Sequence, residues 1–113
     1  MCSEYTLREI LTKLKDEAVK VYGSKLKELI LYGSYARGDN DDESDIDVML
    51  ILDIPIETEL EYSRLITDAV VDLNLEFDVV ISSLIESKEK YDKFKDINPL
   101  FINIEKEGIK IAA

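Results

Sequence analysis

The sequence predicts an α/β (α+β) layering, a mixed sheet with helices packed against it, in one domain over residues 1–113. Three observations predict it. Two apolar runs, Leu26–Tyr32 and Ile46–Leu52, bracket a Gly33-Ser34 turn; segments of helical periodicity alternate with the strand-like runs; and no linker, repeat or low-complexity tract interrupts them. A chain of 113 residues is large enough for one core and too small for two.

Each element has its own signal. Thr6 followed by Glu9 is a capping-box pattern, and Leu7, Ile10, Leu11, Leu14, Ala18 and Val21 mark one face of a helix ending near Gly23. Leu26 to Tyr32 is the first strand. The run GSYARG then begins a short helix, and an acidic loop from Asp39 to Ser44 leads into the second strand, Ile46 to Leu52, which Pro55 ends. Thr58 with Glu61 repeats the capping box, and Tyr62, Leu65, Ile66, Ala69, Val70 and Leu73 recur at helical spacing. A third strand is expected in LNLEFDVVI, where Leu75, Phe77, Val79, Val80 and Ile81 are interrupted by Asp78. Ser83 with Glu86 should open a further helix. Asn98-Pro99 resets the chain for a last helix through Leu100, Phe101 and Ile104, followed by Gly108 and an edge strand, Ile109 to Ile111.

Composition narrows the chemistry. There are 25 acidic and 14 basic residues, a formal net charge of −11, so the surface repels a phosphate backbone and disfavours long nucleic acid as a partner. Histidine is absent and cysteine occurs once, at Cys2, which excludes zinc fingers, Cys-His nucleophiles and disulfide frameworks. A catalytic base must therefore be a carboxylate. No apolar run of membrane-spanning length and no basic-then-apolar leader is present, so a soluble protein of the cytoplasm is expected.

The most informative residues lie between the first two strands. Asp45 and Asp47 open the second strand at positions i and i+2, so both carboxylates leave one face of the sheet about 7 Å apart. That spacing suits divalent cations, two of which roughly 3.5–4 Å apart can serve in-line phosphoryl-type transfer. Gly33 permits a close backbone approach. Ser34 adds a hydroxyl and an amide where polyphosphate oxygens are well received. A calcium loop is the competing reading of DNDDESDID, but the sixth position from Asp39 is Ser44 where glycine is required and the twelfth is Leu50 where Glu is expected. Asp39, Asp41, Asp42 and Glu43 are read as a solvated loop. Arg37 is one of only three arginines, with Arg8 and Arg64, and its closeness to Ser34 suits it to neutralise a triphosphate. Lys88, Lys90, Lys93 and Lys95 read equally as a solvated face or a partner-facing one.

Gly33-Ser34, ten intervening residues and Asp45-x-Asp47 resemble the signature of the DNA polymerase β-type nucleotidyltransferases. The fuller text GSYARGDNDDESDIDVML, with Ala36, Arg37, Gly38 and Ser44, is similar to the small prokaryotic branch called minimal nucleotidyltransferases, over nearly the whole chain. The resemblance implies the polymerase β-like fold and a third carboxylate, for which Asp78 stands in place. It also implies Mg²⁺, two ions, held by Asp45, Asp47 and Asp78 as the catalytic set, with ATP as substrate and Gly33, Ser34, Arg37 and Ser44 in nucleotide binding. A lone Asp in an apolar strand needs a reason, since burying an unpaired carboxylate is costly, and metal ligation would supply one.

The same resemblance implies a partner. Members of that branch are commonly encoded beside HEPN ribonuclease toxins and act as antitoxins, transferring AMP to a toxin tyrosine. Two other readings stand beside it: an antitoxin that neutralises by docking alone, and an enzyme acting on a small-molecule hydroxyl.

Overall fold

Residues 3–112 are described by the structure, a computed structural model, and the lone cysteine, Cys2, lies outside them. Helix α1 spans Glu4–Tyr22, and its cap is Ser3, whose hydroxyl accepts the Thr6 amide at 3.1 Å. Thr6, expected to be the cap, sits in the first turn. The helix stops at Gly23, whose φ of 56° is the left-handed region that glycine enters without a Cβ clash. Strands β1 (Leu26–Tyr32) and β2 (Ile46–Leu52) have the expected bounds, and between them the expected short helix, α2, spans Ser34–Arg37.

The helical stretch after Pro55 is broken. Short α3 (Glu59–Ser63) and a 3₁₀ turn at Arg64–Ile66 precede α4 (Thr67–Phe77). Thr58 makes no side-chain cap there; its hydroxyl donates back to the Pro55 carbonyl at 2.7 Å. The expected third strand is corrected here. Leu75 and Phe77 are the last turn of α4, Asp78 is its left-handed C-cap, and β3 begins only at Ile81 and runs to Ser87. An apolar run of this length fits either period, and packing of Val70 and Leu73 into the core decided for helix. Ser83 and Glu86 likewise lie within β3, and the next helix, α5 (Lys88–Phe94), is capped by Ser87, which accepts the Lys90 amide at 3.0 Å. Helix α6 (Pro99–Glu107) is capped by Asn98 where the Asn98-Pro99 reset was expected, and β4 (Ile109–Ala112) is an edge strand.

The four strands are ordered β3-β2-β1-β4, with β2–β3 parallel and the other two pairings antiparallel, so the sheet is mixed. Alternation along β2 divides its work. Ile46, Val48, Leu50 and Leu52 face α1 and α4 in the larger core, while Asp47, Met49 and Ile51 face the side where Tyr91 of α5 and Phe101 and Ile104 of α6 pack. Among the described residues no helix is long and apolar enough to cross a membrane.

Candidate active site

At the end of β1 the chain must turn under a carboxylate. Gly33 has φ 75°, a backbone sign that favours glycine, and a Cβ built on it would overlap the Asp47 carboxylate, which would have to turn away. Asp47 stands opposite Tyr32 on β1 and opposite Ser82 on β3, and its side chain therefore rests on the Gly33-Ser34 turn. Helix α2 is a single turn closed by Gly38, whose amide donates to the Ser34 carbonyl at 2.9 Å. Tyr32, Gly33, Ser34, Arg37 and Asp47 line a cavity of about 350 Å³ whose other wall is Leu100, Asn103, Ile104 and Glu107 of α6.

The charges in this cavity are perturbed. Burial, then the neighbouring Asp45, raises the Asp47 carboxyl above its usual range, with Arg37 opposing. Burial and the same Asp47 push the Tyr32 phenol up to about 12. Arg37 is held by Asp39 at 3.0 Å and Glu107 at 3.4 Å, each of which favours its charged form. Two adjacent carboxylates, one partly desolvated and destabilised by the other, are a donor set that suits a hard divalent cation. Asp45 and Asp47 fit Mg²⁺ on that ground.

Asp78 is placed differently from expectation. It is exposed, at φ 53° and ψ 52°, a left-handed cap conformation that aspartate tolerates, so no burial cost calls for a metal there. Asn74 bends the chain at this point, accepting the Val79 amide on its carbonyl at 3.2 Å and the Ile81 amide on its side chain at 2.9 Å. Asp78 shares a second groove, of about 250 Å³, with Tyr35, Ser44, Asp45, Val79 and Val80, while Asp47 lines the first. Among the described residues no three carboxylates stand close enough together to hold one ion. Ser44 is engaged locally: its hydroxyl accepts the Asp41 amide at 2.9 Å and pins the acidic loop.

Helix α6 is the part of the site that sequence reasoning missed. Its signal was present, since positions 100, 103, 104 and 107 follow the i, i+3, i+4, i+7 rule for one helix face. A larger cavity, about 550 Å³, has Leu7, Leu11, Leu31, Arg37, Ile109 and Ile111 in its walls, so Arg37 borders both cavities, whereas Asp45, Asp47 and Asp78 do not line the larger one.

Known proteins are similar to this chain in sequence and fold. Residues 7–110 match the profile of a nucleotidyltransferase domain. Two proteins of Methanocaldococcus jannaschii, named "Putative protein adenylyltransferase MJ0604" and "Putative protein adenylyltransferase MJ0141", are 36% identical over 82% of this chain and 82% of theirs, and 33% identical over 91% and 96%. In fold, the chain is similar to a solved "putative nucleotidyltransferase from Sulfolobus solfataricus", with a TM-score of 0.53 and 18% identity over 97% of this chain and 87% of that one. It is similar also to a chain of a toxin-antitoxin crystallised with AMP-PNP, with a TM-score of 0.51 and 16% identity over 91% and 70%. With the Gly33-Ser34 turn under Asp47, on the mixed sheet that the resemblance implied, the chain belongs to the nucleotidyltransferase domain family and is a nucleotidyltransferase.

Proposed function

We propose that this nucleotidyltransferase moves AMP from ATP to a hydroxyl of a partner protein, the acceptor being a tyrosine of a HEPN ribonuclease toxin to which the chain is the antitoxin. The observation that carries the reading is Asp47 seated on Gly33, with Asp45 close enough to disfavour its ionisation, which puts two interacting carboxylates beside the Gly33-Ser34 turn. Support comes from relatives named as protein adenylyltransferases and from the fold shared with a toxin-antitoxin that was crystallised with AMP-PNP. The net charge of −11 suits an acceptor with a basic, RNA-binding surface. The reaction would take place in the cytoplasm, where ATP and the toxin's RNA meet.

The chain's own groups divide the labour. Ser34 and the Gly33 turn would hold the terminal phosphates, Arg37 would neutralise their charge, and Ser44 would fix the loop between Asp41 and Asp45. Asp45 and Asp47 would hold Mg²⁺, and Asp78, the third carboxylate of the resemblance, lines the groove of Asp45 without joining Asp47 in its cavity. Bound there, Mg²⁺ would screen the phosphate oxygens and orient the α-phosphate for in-line displacement. The acceptor oxygen bonds to the α-phosphorus as the bond to the β-phosphate oxygen breaks, and pyrophosphate leaves. The acceptor's proton passes to a carboxylate, a role we assign to Asp78 because it is exposed and lies along the groove of Asp45. Most of the acceleration would come from positioning and charge stabilisation.

The test is incubation of the chain with α-labelled ATP, Mg²⁺ and the product of its neighbouring gene, followed by intact-mass analysis. A gain of AMP on the partner, abolished by Asp45→Ala, is the expected result. Neutralisation of the toxin without any gain, equally strong with Asp45→Ala and Asp47→Ala, would replace transfer by docking. If no HEPN partner is encoded nearby and a small hydroxyl compound is labelled instead, the acceptor assignment falls.

A further inference from the structure

We infer that α6 is a working wall of the nucleotide site and that its Glu107 is a positioning residue, holding Arg37 in place until a triphosphate takes over one edge of the guanidinium. The inference rests on the reading of the Gly33-Ser34 cavity as the nucleotide site.

Glu107 is fixed by the fold. Gly108 closes α6 by donating its amide to the Ile104 carbonyl at 2.8 Å, and any Cβ at Gly108 would collide with Ile104 and Ile30. The chain then enters β4 with Ile109 opposite Leu31 of β1. Glu107 thus shares the cavity with Ser34, Arg37 and Asp47 because α6 and β4 place it there.

The two carboxylates on Arg37 are not equivalent. Asp39 takes Nε at 3.0 Å from only two residues away in sequence, whereas Glu107 reaches Nη1 at 3.4 Å from the opposite wall of the cavity. A guanidinium has five N–H donors, and phosphate can take two in parallel at about 2.7–2.9 Å. A triphosphate on Ser34 would therefore displace the longer Glu107 contact and leave Asp39 to keep the guanidinium oriented. Glu107 also adds a negative charge to a cavity that already holds Asp47, so it opposes an anionic ligand until Arg37 is released. The pair is exposed by 44% and 42%, which keeps the contact weak enough to exchange.

The experiment measures binding of a non-hydrolysable ATP analogue, and of AMP, in Mg²⁺ by calorimetry for the wild type, Glu107→Gln, Arg37→Gln and the double variant. Glu107→Gln is expected to bind the triphosphate about two- to fivefold tighter, with AMP unchanged and the gain absent in the Arg37→Gln background. Unchanged or weaker triphosphate binding by Glu107→Gln, or a gain that persists without Arg37, overturns the role of Glu107. Failure of the wild type itself to bind the nucleotide would overturn the reading of the site and the inference with it.

Discussion

One face of the sheet is sealed by α1 and α4, with eighteen of the described residues joined in a buried cluster that runs from Ile10 to Ile85. The other face carries α5 and α6 over a cluster of six, and beyond Ile104 it opens into the cavity that holds Tyr32 and Asp47. The difference shows how a chain of 113 residues supports partly buried charge. Burial of apolar area on the first face, worth roughly 25 cal/mol per Å², stabilises the same strand that carries Asp47 on its other face. Strand β2 serves both faces, so Val48 and Leu50 hold still what Asp47 uses.

Substitutions on the two faces should separate stability from activity. The largest effect is expected from Asp45→Ala, which should reduce nucleotidyl transfer roughly a thousandfold while leaving the urea midpoint unchanged, because the side chain is exposed. A fall in both would mean that the open face also carries the fold. On the sealed face, Leu50→Ala should cost about 2–5 kcal/mol in urea unfolding. Leu84→Ala, on β3 of the open face and 37% exposed, should cost about 1 kcal/mol or less; equal costs would erase the contrast.

Ser87 tests how the open face is attached. It is fully buried at the end of β3, donates its amide to Glu59 at 2.6 Å and caps α5 with its hydroxyl. Ser87→Ala is expected to destabilise by about 1 kcal/mol in urea unfolding, with transfer retained.

The smallest effect is a gain. Burial raises the Asp47 carboxyl above its usual 3.8, so the folded chain favours the neutral acid more than the unfolded chain does. The stability this lends is complete below pH 3.8 and is lost as pH rises through the raised value. At pH 7 the ionised carboxylate is a cost, and Asp47→Asn should raise the thermal midpoint there but not at pH 3. Added Mg²⁺ should raise the midpoint of the wild type and not that of Asp47→Asn. A variant less stable than wild type at pH 7 would show that Asp47 supports the fold.

Legibility in the sequence followed the same division. Strands β1 and β2 were read with their observed bounds because glycine, proline and charged residues end each apolar run. Around Asp78 the reading failed, since Leu75, Phe77 and Val79 alternate like a strand while Val70 and Leu73 continue a helix. Local sequence does not tell which set will be buried, and Leu75 proved exposed while Leu73 packs inside. Gly33, Ser34, Arg37 and Asp47 could be gathered from spacing because strand pairing brings them together. Glu107 could not, because its approach to Arg37 depends on how α6 lies across the sheet.

The parallel pairing of β2 with β3 has a kinetic side. Strands β1 and β2 meet across residues 33–45 and pair antiparallel, whereas β3 must return over residues 53–80 before it can dock. The shorter closure costs less entropy, so the pair that carries Gly33 and Asp47 should assemble first. In pulse-labelled refolding, amides of residues 29–31 and 48–50 would gain protection ahead of those of 82–86, and the Gly33-Ser34 turn would be in place before the sheet is complete.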